Sequence, residues 1–108
     1  MKGNQVILVG YVGQNLKTGQ SGDDRKRVAI RVATHIHFRA KHGNRHNETV
    51  WHDVIAWDGT ALFAERNFVK GSRILVEGSI VYRTYVDHSG HMRYITQIKA
   101  HSLMNLDR

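Results

Sequence analysis

An all-β fold, a small closed barrel of five strands with one short helix between the third and fourth, is what this sequence predicts. Three observations carry that reading. Apolar and β-branched residues alternate in separate stretches, Gly, Asn, Asp and Ser gather between them, and a single segment from Asp58 to Phe68 repeats its apolar positions at helical spacing. At 108 residues the chain has material for one core, hence one domain over residues 1–108 with no linker.

Gln5 to Val12 (Gln-Val-Ile-Leu-Val-Gly-Tyr-Val) is the first strand, closed off by Gly13. Leu16 to Asp24, with Gly19, Ser21, Gly22 and two aspartates, reads as a turn region. In the second strand Val28, Ile30 and Val32 alternate with Ala29, Arg31 and Ala33, so Arg31 points away from the core; Thr34 to Phe38 prolongs it. Ala40 to Asn47 has no apolar rhythm and is expected to be a solvated loop, leading to a third strand from Glu48 to Trp57. Asp58-Gly59-Thr60 offers N-cap chemistry for the helix, Ala61, Ala64 and Phe68 share its buried side, and Gly71 is its left-handed stop. Arg73 to Tyr85 is the fourth strand, Asp87-His88-Ser89-Gly90-His91 a turn, and Arg93 to Leu103 the fifth. Gly10 and Gly78 fall inside strands, where a missing side chain lets a barrel bend or close. This order is the plan of the OB-fold barrel, which presents its ligand on the middle strands and their loops.

Both tryptophans lie in Val50-Trp51-His52-Asp53-Val54-Ile55-Ala56-Trp57. Trp51, Asp53, Ile55 and Trp57 share one face of that strand; Val50, His52, Val54 and Ala56 share the other. Two indoles about 20 Å apart on one side are either a core wall or a platform for flat ligands. The charge leans toward the platform. Sixteen Lys and Arg against nine Asp and Glu give +7, and from Arg25 to Arg45 there are seven basic residues and no acid. A polyanionic partner fits that excess, with a merely solvated surface as the plain alternative.

Several classes drop out. Without cysteine there is no disulfide, thiolate metal site or cysteine nucleophile. No apolar run approaches membrane-spanning length and Met1-Lys2-Gly3-Asn4 lacks the zones of a secretory signal, so a cytoplasmic, membrane-free protein is the default. His35 and His37 share a strand face, with His42 and His46 in the next loop, but no carboxylate joins them, and neither a metal nor any other cofactor is expected. A metal-assisted nuclease needs clustered carboxylates, whereas Asp53 is the one acid between the tryptophans; an enzyme is not expected.

Asn4-Gln5-Val6-Ile7-Leu8-Val9-Gly10, Val12-Gly13, Val50-Trp51-His52, Ala64-Glu65 leading to Lys70-Gly71-Ser72, Val76-Glu77-Gly78, Arg83-Thr84-Tyr85-Val86-Asp87-His88-Ser89-Gly90 and Arg93-Tyr94 together carry a family. In their order and spacing the sequence resembles the bacterial single-stranded DNA-binding protein (SSB) family over nearly its whole length. The resemblance implies an OB fold that coats single-stranded DNA during replication, recombination and repair, without chemistry and as a homo-oligomer, a tetramer more than a dimer. It implies base stacking on Phe38, Trp51, Trp57 and Tyr85; Phe38 and Tyr85 replace the family's usual tryptophan, and Trp57 its usual phenylalanine. His52 is then a subunit-contact candidate, against the alternative of a hydrogen-bonded core histidine. The family's flexible tail with an acidic tip has no counterpart before Leu106-Asp107-Arg108, so tail-mediated partners are not expected of either a trimmed core or a compact relative.

Physical chemistry supports the same site independently. Every base has a π-face, so rings hold a strand of any sequence while Lys and Arg track its phosphates. Arg31, Arg39, Lys41, Arg45, Arg73, Arg83 and Arg93 are the phosphate candidates, and Tyr82 and Tyr94 of the last hairpin can add rings. Stacking ignores the 2′-hydroxyl, which keeps RNA open as a ligand. The runner-up is a tail-less primosomal accessory OB protein that bridges DNA and replication proteins.

Overall fold

A computed structural model describes residues 3–20, 22–39, 43 and 45–107, leaving aside the side chains of positions 38, 39, 45 and 46. Its elements are β1 (Val6–Val12), β2 (Lys17–Gln20), β3 (Lys26–Arg39), β4 (Arg45–Trp57), α1 (Asp58–Asn67), β5 (Arg73–Val86) and β6 (Met92–Asn105). The strands pair in the order β1-β5-β6-β4-β3-β2, and β1 also pairs with β3. That last contact closes five of them into a barrel and leaves β2 as an outer flap on β3. The fold is the expected one.

Alternation along each strand sorts its residues. Val28, Ile30 and Val32 of β3, Val54 and Ala56 of β4, Ile74 and Val76 of β5, and Ile98, Ala100 and Leu103 of β6 form the interior with Val12, while Ala61, Ala64 and Phe68 of α1 plug it. Burial of each Ile or Val side chain contributes about 1.5–3 kcal/mol, so this set carries the fold. Gly10 and Gly78 let the seams close. A methyl group on Gly10 would overlap the Ala33 carbonyl of β3, and one on Gly78 the Lys99 carbonyl of β6, beside a register irregularity at Glu77/Gly78.

Three local expectations change. The stretch read as a turn from Leu16 to Asp24 contains β2, whose Lys-Thr-Gly-Gln has no apolar rhythm and is strand only because β3 offers it a ladder from Lys17↔Ala29 to Gln20↔Lys26. The β3–β4 ladder also runs further than its apolar pattern, to Arg39↔Arg45; the intervening Lys41 and most of its neighbours lie outside the described residues. The helix lacks the expected side-chain cap. Its N-cap is Trp57, and Asp58, at φ 52°, turns its carboxylate to Arg25 instead. The helix ends at Asn67, before Gly71, which is left-handed (φ 95°) in the following turn and donates its N–H to the Val12 carbonyl at 2.7 Å.

Candidate nucleic-acid interface

The outer face of β3, β4 and β6 carries the unusual side chains. At its centre Trp51 is 46% exposed, a large indole left open on a strand whose other face supplies the core. What positions it is the absence of a side chain. A methyl on Gly13 would overlap Trp51 Cζ3 and Cη2, so the ring rests on bare backbone, and that backbone is fixed because the Gly13 N–H donates to the Arg31 carbonyl at 2.8 Å. Gly13 was legible in the sequence only as a strand end.

Each tryptophan carries an arginine, and each arginine a carboxylate. The Arg31 guanidinium lies 5.2 Å from the Trp51 ring centroid and bonds Asp53 at 2.9 Å. The Arg25 guanidinium lies 4.6 Å from that of Trp57 and bonds Asp58 at 2.8 Å. Register explains the first set: Arg31 is opposite Asp53 and Ala33 opposite Trp51 on one face. The hydrogen bonds that Arg25 donates to the Asp58 carboxylate hold it further toward its charged form. Both arrangements keep a flat cation against an indole.

Of the other stacking candidates, Tyr85 is half exposed and shares a face of the β5–β6 arm with Arg83 and Arg93, the face that also carries Gln97 beside Trp51 and Ile55. Tyr82 and Tyr94 are each 76% exposed but lie on the reverse face of the arm. Phe38 has its backbone in β3 opposite His46, and its side chain is outside the described residues, as are those of Arg39 and Arg45 and the whole of Lys41.

The cation candidates separate as clearly. Arg31 is on the tryptophan face but paired. Arg93 bonds Asp87 at 2.7 Å. That bond, with N–H groups of His91 and Ser89, holds the Asp87 carboxyl below the usual range and makes it the organiser of the β5–β6 turn. Arg73 opens β5 opposite Tyr11 of β1, away from the tryptophans in the barrel order. Arg83 does reach the tryptophan face, in a groove over Ile55 that it shares with Lys17 and Arg27, two cations the sequence reading passed over.

His52 lies on the other face of β4, its Nε2 2.9 Å from Thr34 Oγ1. Partial burial, helped by Arg31 and opposed by Asp53, lowers its pKa and favours the neutral ring. His35 and His37 sit near Thr49 and Asn47, at 3.3 and 2.6 Å. Among the described residues no three His, Asp or Glu converge as a metal would require.

Comparison with known proteins gives the chain a family and its barrel a fold. The model of the single-strand binding protein family matches residues 3–106. The single-stranded DNA-binding protein of Rickettsia typhi is 32% identical over 97 residues, which are 88% of this chain and 64% of that protein. Single-stranded DNA-binding protein 1 of Xylella fastidiosa is 32% identical over 106 residues, 97% of this chain and 78% of its own. Thus the chain spans slightly less than two thirds of the Rickettsia relative's length. Among solved structures, the Plasmodium falciparum SSB complex with ssDNA superposes at a TM-score of 0.86 with 23% identity, covering 99% of this chain and 97% of that one. A deletion mutant of the single-stranded DNA binding protein from Thermus aquaticus gives 0.83 with 21% identity, covering 95% and 50%. These two likenesses establish the barrel, and the sequence matches establish the lineage: the chain belongs to the single-strand binding protein family.

Proposed function

We propose that this protein binds single-stranded DNA without regard to sequence and without chemistry, serving replication, recombination and repair. The observation that carries the reading is the open Trp51 indole, seated on Gly13 and flanked by Arg31 at the centre of a cationic face. Bases stack on Trp51, Trp57, Tyr85 and Phe38, and unpaired strand phosphates meet the surrounding Lys and Arg. The relatives' names point the same way.

Titration with oligo-dT at two salt concentrations, followed by tryptophan fluorescence, tests this. Quenching is expected, with affinity falling by about 0.7 log units per tenfold salt for each phosphate contacted. Fluorescence that stays constant through excess oligo-dT overturns the reading. Competition between matched DNA and RNA oligonucleotides then fixes the sugar preference.

The same reading includes a homo-oligomer, a tetramer more than a dimer. Ile7, Val9 and Tyr11 of β1 are 59%, 48% and 44% exposed, an apolar row on a strand whose first residues, among the described residues, pair on one side only, with β5. Such a row on an open edge favours burial against a second copy. Mass in solution should exceed that of one chain and fall toward it for Ile7→Glu.

A further inference from the structure

The cations of the exterior face are of two kinds. Arg25, Arg31 and Arg93 each hold a carboxylate within 2.9 Å. Lys17, Arg27 and Arg83 hold none among the described residues, yet they converge on the groove floored by Ile55 and edged by Gly19 and Gln97, in which no carboxylate appears. Like charges gathered over a buried aliphatic floor repel one another more strongly than in open water, a cost that a bound anion offsets.

The backbone holds them there. Gly19 is opposite Arg27, so the Arg27 side chain lies along β2, its Nε 3.4 Å from where a Gly19 methyl would stand. Lys17 is opposite Ala29 on the same face, and Arg83 comes from the β5–β6 arm. The groove adjoins two further hollows. It shares Gln97 with the hollow beside Trp51, and Lys17 with the one beside Arg31. A phosphodiester, which carries one charge and continues in two directions, fits an open groove better than a terminal phosphate does.

We propose that Lys17, Arg27 and Arg83 together seat one backbone phosphate of a bound strand, between the indoles of β4 and Tyr85. Two guanidinium forks and an ammonium supply charged donors, and the Gln97 amide a neutral one. The assignment rests on the single-strand reading given above. It goes further by naming which cations meet the backbone.

Oligo-dT titrations over a salt series test it, with Lys17→Gln, Arg27→Gln, Arg83→Gln, the triple variant, and Arg66→Gln on α1 as a control for net charge. Each single change should weaken binding several-fold. The triple variant should lose about 0.7 of the slope of log affinity against log salt, one phosphate's share, and Arg66→Gln none. A neutral methylphosphonate stepped along the oligonucleotide should weaken the parent protein most at one position and the triple variant at none. A triple variant with unchanged slope overturns the seat while leaving the DNA reading intact. A loss of about 2 overturns it in favour of three separate contacts. Competition by inorganic pyrophosphate at constant ionic strength, matched to that of the oligonucleotide, overturns the phosphodiester assignment. Absence of quenching in every variant, the parent included, removes the DNA reading and the seat together. Should the triple variant melt early, the single variants and the methylphosphonate series on the parent protein decide.

Discussion

The tryptophan rows and the Ile55 groove lie on one face and use the same residue type in opposite ways. Beside the indoles, Arg31 and Arg25 are tied to Asp53 and Asp58 and serve as flat covers for rings. In the groove, Arg27 and Arg83 have no carboxylate within reach among the described residues and keep their charge available. The lesson concerns counting: +7 is a property of the whole chain, but the charge a polyanion would meet depends on which cations already have partners.

The largest expected effect attacks the ring side. Trp51→Ala should weaken oligo-dT binding by about 5- to 150-fold, the equivalent of 1–3 kcal/mol for one lost stack, with melting nearly unchanged because the indole is half exposed. Thermal denaturation beside the titration checks both halves, and a variant that melts early with undiminished affinity per folded molecule would make Trp51 a core residue. Next comes Gly13→Ala, which retains every ring and charge but puts a methyl where the indole rests. Overpacking of this kind costs about 1–3 kcal/mol, so affinity should fall about tenfold and the near-ultraviolet tryptophan dichroism should change.

Asp53→Asn addresses the difference between the two regions directly. It converts a covered arginine into a free one and removes a negative charge from the face, so binding should tighten about two- to fivefold at low salt, with a steeper salt dependence. An unchanged slope would mean that Arg31 never leaves its ring. The smallest effect belongs to His52. Its folded-state pKa is depressed, so below the ordinary imidazole value of about 6.5 the unfolded chain binds more protons than the folded one. Stability is therefore fully present above that value and is lost as pH falls toward the folded pKa. Denaturant unfolding between pH 7 and 5 should show this decline in the parent and a shallower one in His52→Gln.

The barrel was legible because alternation is a local signal: Val28, Ile30 and Val32 announce an inward face without help from the rest of the chain. β2 was not, since Lys-Thr-Gly-Gln becomes strand only through its partner. The helix start failed for a similar reason, as the Asp58 carboxylate had a better use in Arg25, far away in sequence. In the candidate site, alternation put Trp51 and Trp57 on one face of β4, whereas Phe38 and Tyr85 were named through the family resemblance and Tyr82 and Tyr94 fall on the reverse face of the arm. Of the groove cations only Arg83 was named from sequence, because a lysine at 17 or an arginine at 27 looks like any other until register sets them over Ile55, and Arg93 looks free until Asp87 is seen to hold it.

One further consequence follows from how the barrel is joined. β3 with β4 and β5 with β6 form long antiparallel ribbons, yet among the described residues β4 and β6 pair only at Val54↔Ile98 and Ile55↔Lys99, in parallel. A strand bound along the proposed path, from Trp51 past Ile55 to Tyr85, would cross that short suture and fasten one ribbon to the other. The ligand then acts as a strap, and amide exchange at the suture should slow on loading more than anywhere inside either ribbon.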